Sequence, residues 1–205
     1  MSLSTHNFRQ IGSVQQLVLV AVGLLALNTS IPRASAADGA LDYRVLATSR
    51  TSTMEKEVND AALSGYRFSK VMGGKTAVAG QEVVISMVKD AASAGESVRT
   101  YKLLATTRTS TMQRELQEWA DAGYEYLDQT VFETAFGGKE VVVIMQRDAS
   151  RPASKSVYRL LATNRTSTME KELKEAGKDG FLLVGFTVGK TEIGGEELVS
   201  ILRKN

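Results

Sequence analysis

The residue types best placed to do chemistry occur three times over. Leu-Ala-Thr-x-Arg-Thr-Ser-Thr-Met runs from Leu46 to Met54, recurs from Leu104 to Met112 and returns from Leu161 to Met169. In each copy an arginine (Arg50, Arg108, Arg165) precedes three hydroxyl residues: Thr51, Ser52, Thr53; Thr109, Ser110, Thr111; and Thr166, Ser167, Thr168. The serines stand three residues before Glu55, Gln113 and Glu170, which is capping-box spacing and predicts helices beginning at Ser52, Ser110 and Ser167. A helix start offers unpaired N–H groups and the positive end of the helix dipole, and an adjacent guanidinium adds a full charge. Such a site suits a carboxylate, sulfate, phosphate or acidic sugar. Against this, Glu55 and Glu170 bring carboxylates to the same terminus, and no glycine-rich phosphate loop accompanies the motif.

The plainer reading gives the motif to the fold. The serine caps the helix, the threonines order the turn, and Met54, Met112 and Met169 anchor the helix in the core at helical spacing from Val58 and Leu116. The arginine then pairs with a shared glutamate: Glu57, Glu115 or Glu172 near the helix start, or Glu82, Glu140 or Glu197 ahead of the last strand. This structural reading is preferred, with the anion site as the alternative.

Catalysis fits poorly. There is no cysteine, and the one histidine, His6, lies in a segment expected to be removed, so the usual bases that activate a hydroxyl are missing. Ser52-Thr53-Met54-Glu55 is S-x-x-E rather than the S-x-x-K of Ser–Lys acyl transferases. Acidic pairs such as Glu57 with Glu82 could serve a glycosidase only at a separation that sequence does not set. No D-x-D-x-D-G calcium loop and no cysteine- or histidine-based metal set occurs, so neither a cofactor nor a metal is expected, and the protein is read as not an enzyme.

The motif sits in a larger repeat. Residues 43–90, 101–148 and 158–205 align without a gap as three units of 48 residues, with 15 positions identical in all three. Eight of those identities fall within the nine residues Leu46 to Met54 and their equivalents, so that loop is held more tightly than the rest of the unit. Residues 91–100 and 149–157 read as short Ala/Ser-rich linkers. Each unit opens on a strand-like run (Tyr43 to Thr48 and its counterparts) and continues as an amphipathic helix stopped by Gly65, Gly123 or Gly180. Two more strands follow, separated by a turn at Gly80, Gly138 or Gly195, and the last is the most apolar. The expected fold is α+β: three tandem β-α-β-β repeats, ferredoxin-like but truncated, each an antiparallel sheet in the order first-third-second strand with one helix on a face. A 48-residue unit buries too little surface to be comfortable alone, and apolar residues at both parities of the last strand (Val83 and Val84, Val143 and Ile144) predict that both sheet faces are covered. The three sheets should therefore pack together, as a pseudo-trimer or a shared sandwich or barrel. Trp119, the only tryptophan, is read as local packing on the helix face.

The aromatic-led strand from Tyr43, the helix from Met54, the pair Gly65-Tyr66 and a last strand ending at Lys89 recur as Gly123-Tyr124 with Arg147 and as Gly180-Phe181 with Arg203. This pattern resembles a bacterial family of short β-α-β-β domains of unknown function. The family commonly shows Gly-Trp where this chain has Gly-Tyr or Gly-Phe. The resemblance implies the fold and no functional residue.

Residues 1–36 read as a signal peptide: a polar start with Arg9, an 11-residue apolar run from Leu17 to Leu27, and Ala34-Ser35-Ala36 as the small-x-small ending. The run is too short for a hydrocarbon core of about 30 Å, so cleavage after Ala36 is expected rather than a membrane anchor. Residues 37–42 are then a short N-terminal tail. Removing Arg9 and Arg33 takes the basic count from 25 to 23, against 23 acidic residues, and a chain near neutrality has no global attraction to nucleic acid or anionic lipid. The expectation is an exported, periplasmic or extracellular, non-catalytic structural or protein-interaction module with an unknown protein or cell-envelope partner. A small-anion binder is the alternative, and oligomerisation is left open.

Overall fold

The structure, a computed structural model, describes residues 40–77, 80–90, 98–133, 139–190 and 195–205. The expected signal segment with residues 37–39, the stretch 91–97 and the turn glycine Gly138 lie outside the described residues.

The elements repeat as the sequence repeats. The first unit is β1 (Asp42–Thr48), α1 (Thr51–Leu63), β2 (Arg67–Thr76) and β3 (Gly80–Lys89). The second is β4 (Arg99–Thr106), α2 (Thr109–Asp121), β5 (Glu125–Glu133) and β6 (Lys139–Asp148), and the third is β7 (Val157–Thr163), α3 (Thr166–Lys178), β8 (Leu182–Lys190) and β9 (Glu196–Lys204). Each unit forms its own three-stranded sheet in the orders β1-β3-β2, β4-β6-β5 and β7-β9-β8, antiparallel throughout. The apolar last strand is central in each, as its composition requires. The second strand carries a register shift at one aligned place in every unit, Phe68/Lys70, Tyr126/Asp128 and Leu183/Gly185.

Each helix ends on a left-handed glycine, Gly65, Gly123 and Gly180, with φ of 86°, 87° and 84°. The next residue's N–H reaches back five positions, Tyr66 to the Ala61 carbonyl, Tyr124 to Trp119 and Phe181 to Ala176, closing the orphaned end of the helix. Lys89 and Lys204, at the ends of β3 and β9, donate Nζ to the Ser64 and Asp179 carbonyls at 2.9 and 2.8 Å, which neutralises the negative end of the dipole.

The core of each of the first two units continues into the next. Met54, Val58 and Ala61 of α1 meet Val83, Ile85 and Met87 of β3, and the same cluster takes in Tyr101, Leu103, Phe132, Val142 and Ile144 from the second unit. Met112, Leu116 and Ala120 of α2 likewise share a core with Val141, Val143 and Met145 and with Tyr158 and Ile201 of the third unit. The sheets therefore pack together in succession, α1 and α2 each held between its own sheet and the next. Among the described residues, a third cluster in the last unit joins Ala176, Phe181 and Leu202, with Leu161 and Leu173 against it.

Candidate functional site

The repeated motif lies where each first strand turns into its helix. The helices start at Thr51, Thr109 and Thr166, one residue earlier than the serine spacing predicts, and the N-cap positions are Arg50, Arg108 and Arg165 with no side-chain capping bond. The capping box thus does not form. The repeated turn is instead ordered by the preceding threonine: Thr48, Thr106 and Thr163 accept the N–H of Arg50, Arg108 and Arg165 through Oγ1 at 3.2, 3.1 and 3.3 Å. Met54, Met112 and Met169 are buried as expected.

Arg50, Arg108 and Arg165 are exposed, as are Ser52, Thr53, Ser110, Thr166 and Ser167, while Thr51, Thr109, Thr111 and Thr168 are half-buried. Of the shared glutamates, Glu82 is buried and accepts a hydrogen bond from Thr76, and Glu57, Glu115, Glu140, Glu172 and Glu197 are half-buried. Charge pairs that join neighbouring units include Lys102 with Glu55 at 2.9 Å and Lys139 with Glu196 at 3.0 Å.

An open groove of about 460 Å³ reaches the first copy of the motif. Thr51 and Ser52 line it together with Glu55, Lys102, Glu115, Glu118 and Trp119. An anion approaching the start of α1 by this route meets three carboxylates, and the single ammonium is already engaged by Glu55 and stacked 4.7 Å over the Trp119 ring. The second copy of the motif borders a void of about 10 Å³ with Met112, Val141, Leu160 and Val199. Among the described residues no cluster of three metal-ligating side chains occurs.

The residues that do most at this place are ones the sequence reading assigned elsewhere or passed over. Glu55, expected to fold back on its own helix start, crosses to the next unit, where Oε2 accepts the Leu103 N–H at 3.0 Å and Oε1 takes Lys102. One turn along α1, Asn59 accepts the Tyr101 N–H at 2.9 Å and donates to the Tyr101 carbonyl at 3.0 Å. A helix side chain here occupies the position a neighbouring strand would take, and so closes the edge of β4. The second joint repeats it with amides. Gln113 brackets the Leu160 N–H (2.6 Å) and the Tyr158 carbonyl (2.9 Å), and Gln117 takes the Tyr158 N–H at 3.0 Å. The opening tyrosine of the following unit completes each joint by accepting through its hydroxyl. Phe68 N–H donates to Tyr101 Oη at 3.0 Å and Tyr126 N–H to Tyr158 Oη at 2.8 Å, both at the register shift of the preceding unit. Burial raises the pKa of both hydroxyls, and the backbone hydrogen bond to each works in the opposite direction.

Family models, curated proteins and solved structures yield no match to this chain. The i, i+4 pairs Glu55/Asn59 and Gln113/Gln117, beside the apolar stripe, were the available sequence signal for the joints.

Proposed function

We propose that this protein is an exported, non-catalytic interaction module of the periplasm or extracellular space, whose three units form a binding scaffold rather than a reaction site. The observation that carries this reading is the joint itself. Polar side chains of α1 and α2 close the edges of β4 and β7. The equivalent surfaces are open in the first and third repeats: Tyr43 and Val45 of β1 in one, Leu183 and Phe186 of β8 in the other. Apolar side chains standing in the open on a soluble surface mark contact with another macromolecule. The likeness to short bacterial β-α-β-β domains agrees with a scaffold and assigns no residue. The competing reading, a small-anion binder at the Arg-Thr-Ser-Thr turns, is weakened by the acidic wall of the groove beside α1.

Thermal unfolding with a panel of millimolar anions decides between them, run on the native protein and on a variant carrying Arg50→Gln, Arg108→Gln and Arg165→Gln. The interaction reading expects equal, non-specific effects on both. An anion that raises the midpoint of the native protein alone, by the mass-action term, would make the turns binding sites and overturn it.

A further inference from the structure

We propose that copies of this chain associate head to tail, the β1 edge of one copy docking on α3 and β8 of the next, so that the joint made twice within the chain is made again between chains. This rests on the reading of the protein as an interaction module and names its partner as a second copy of the same chain.

The two surfaces are the unfilled halves of one interface. Tyr43 is 60% exposed, whereas its equivalents Tyr101 and Tyr158, seated in joints, are 2% and 3% exposed. Val45 is 66% exposed against 7% for Leu103. At the other end α3 presents its joint-forming face to solvent, where Glu170 and Lys174, aligned with Glu55/Asn59 and Gln113/Gln117, pair with each other. An open groove of about 380 Å³ runs along that face between Ser167 and Lys178.

Position by position the halves match. Tyr43 faces Val88 across the sheet as Tyr101 faces Gln146, so the outward backbone groups of Tyr43 and Val45 correspond to those that Asn59 and Glu55 satisfy on β4. Glu170 of one copy would accept the Val45 N–H of the next. Arg44 stands where Lys102 stands, and a carboxylate at Glu170 meets it with the charge sense of the Glu55–Lys102 pair. The Tyr43 hydroxyl would reach the Leu183 N–H, at the register shift that takes Tyr101 and Tyr158 in the first two units. Phe186, aligned with Val71 in the first joint's core, would then be covered by the open face of the next copy's first sheet.

One position differs and makes the joint between copies weaker than those within the chain. Lys174 can donate to the Tyr43 carbonyl but cannot accept the Tyr43 N–H as Asn59 and Gln117 accept theirs. Association is therefore reversible. Because the two surfaces are different, the contact is heterologous and propagates until a ring closes or a filament grows.

The full chain is produced in an exporting bacterial host and the recovered protein taken by sedimentation equilibrium from the low micromolar range upward. The expected result is a mass that rises with concentration beyond that of one chain. Val45→Lys spoils one surface and Phe186→Lys the other, both at exposed positions that leave the single chain folded by circular dichroism. Each variant alone stays a single chain, and the two mixed form a one-to-one pair, because one intact surface of each kind remains. Lys174→Gln, which restores the amide of the second joint, tightens association about tenfold, and Tyr43→Phe loosens it by a similar factor. A single-chain mass at every concentration overturns the proposal. So does an assembly that neither variant disturbs, a dimer that mixing fails to restore, or a photocrosslinker at Val45 that captures another protein and not this chain. Those outcomes leave the interaction reading standing, whereas an anion-specific stabilisation removes that reading whatever the mass.

Discussion

The Asn59 side-chain amide of α1 holds both backbone groups of Tyr101, accepting the N–H at 2.9 Å and donating to the carbonyl at 3.0 Å. Forty-two residues separate the two, and Tyr101 belongs to the next repeat. The contact converts what would be an exposed sheet edge into a sealed one, and it joins the two units by the most directional interaction available to the backbone.

Replacing Asn59 by leucine leaves the Tyr101 N–H and carbonyl buried and unsatisfied. The expected loss is roughly 2–4 kcal/mol, measured by urea unfolding. The aligned change on the last helix, Lys174→Leu, touches an exposed side chain and should stay within about 0.5 kcal/mol at concentrations where the chain is single.

Tyr158→Phe removes the oxygen that accepts the Tyr126 N–H at the register shift of β5. That N–H is buried, so the variant should lose about 1–3 kcal/mol in the same assay. Tyr43→Phe, on the exposed β1, should leave the stability of the single chain within about 0.5 kcal/mol of native.

Alkaline pH provides a third test. Burial raises the pKa of Tyr101, Tyr126 and Tyr158 above the ordinary phenol value. The native state then keeps phenolic protons that the unfolded chain has lost once pH passes about 10, so the unfolded state binds fewer protons and stability falls as pH rises. The contribution is fully present below that pH. Near-ultraviolet absorbance should show Tyr101, Tyr126 and Tyr158 ionising only as the protein unfolds; their ionisation ahead of unfolding would refute the buried joints.

Gly73 and Gly74 form a matched pair of controls on how closely the first two units approach. A methyl group at Gly73 would run into the Val131 carbonyl of β5, a backbone atom that cannot rotate aside, whereas one at Gly74 meets nothing within 4 Å. The Gly73 N–H also donates to Thr130 Oγ1 at 2.7 Å. Gly73→Ala should cost about 1–3 kcal/mol and Gly74→Ala close to nothing, read from thermal midpoints.

Much of the fold was legible because its signals are local and threefold. Glycine stops at Gly65, Gly123 and Gly180, helical spacing of Met54 with Val58, and the apolar run of β3 each follow from a few neighbouring residues, and the strand order follows from which strand must be central. The helix start was displaced by one residue because Thr48, outside the helix, orders the turn that serine spacing alone assigns to Ser52.

The sequence by itself determined three β-α-β-β units with a helix on each sheet, and that single units of this size need neighbours to finish their cores. Only the tertiary structure decided what the polar residues beside the apolar stripe are for. Glu55 has the spacing to cap its own helix, yet it lies against the edge of β4, where the Leu103 N–H and Lys102 compete for the same carboxylate and win. Helical periodicity sets which side chains share a face, but the strand that face meets depends on how the next unit packs, a long-range relation that no local spacing contains.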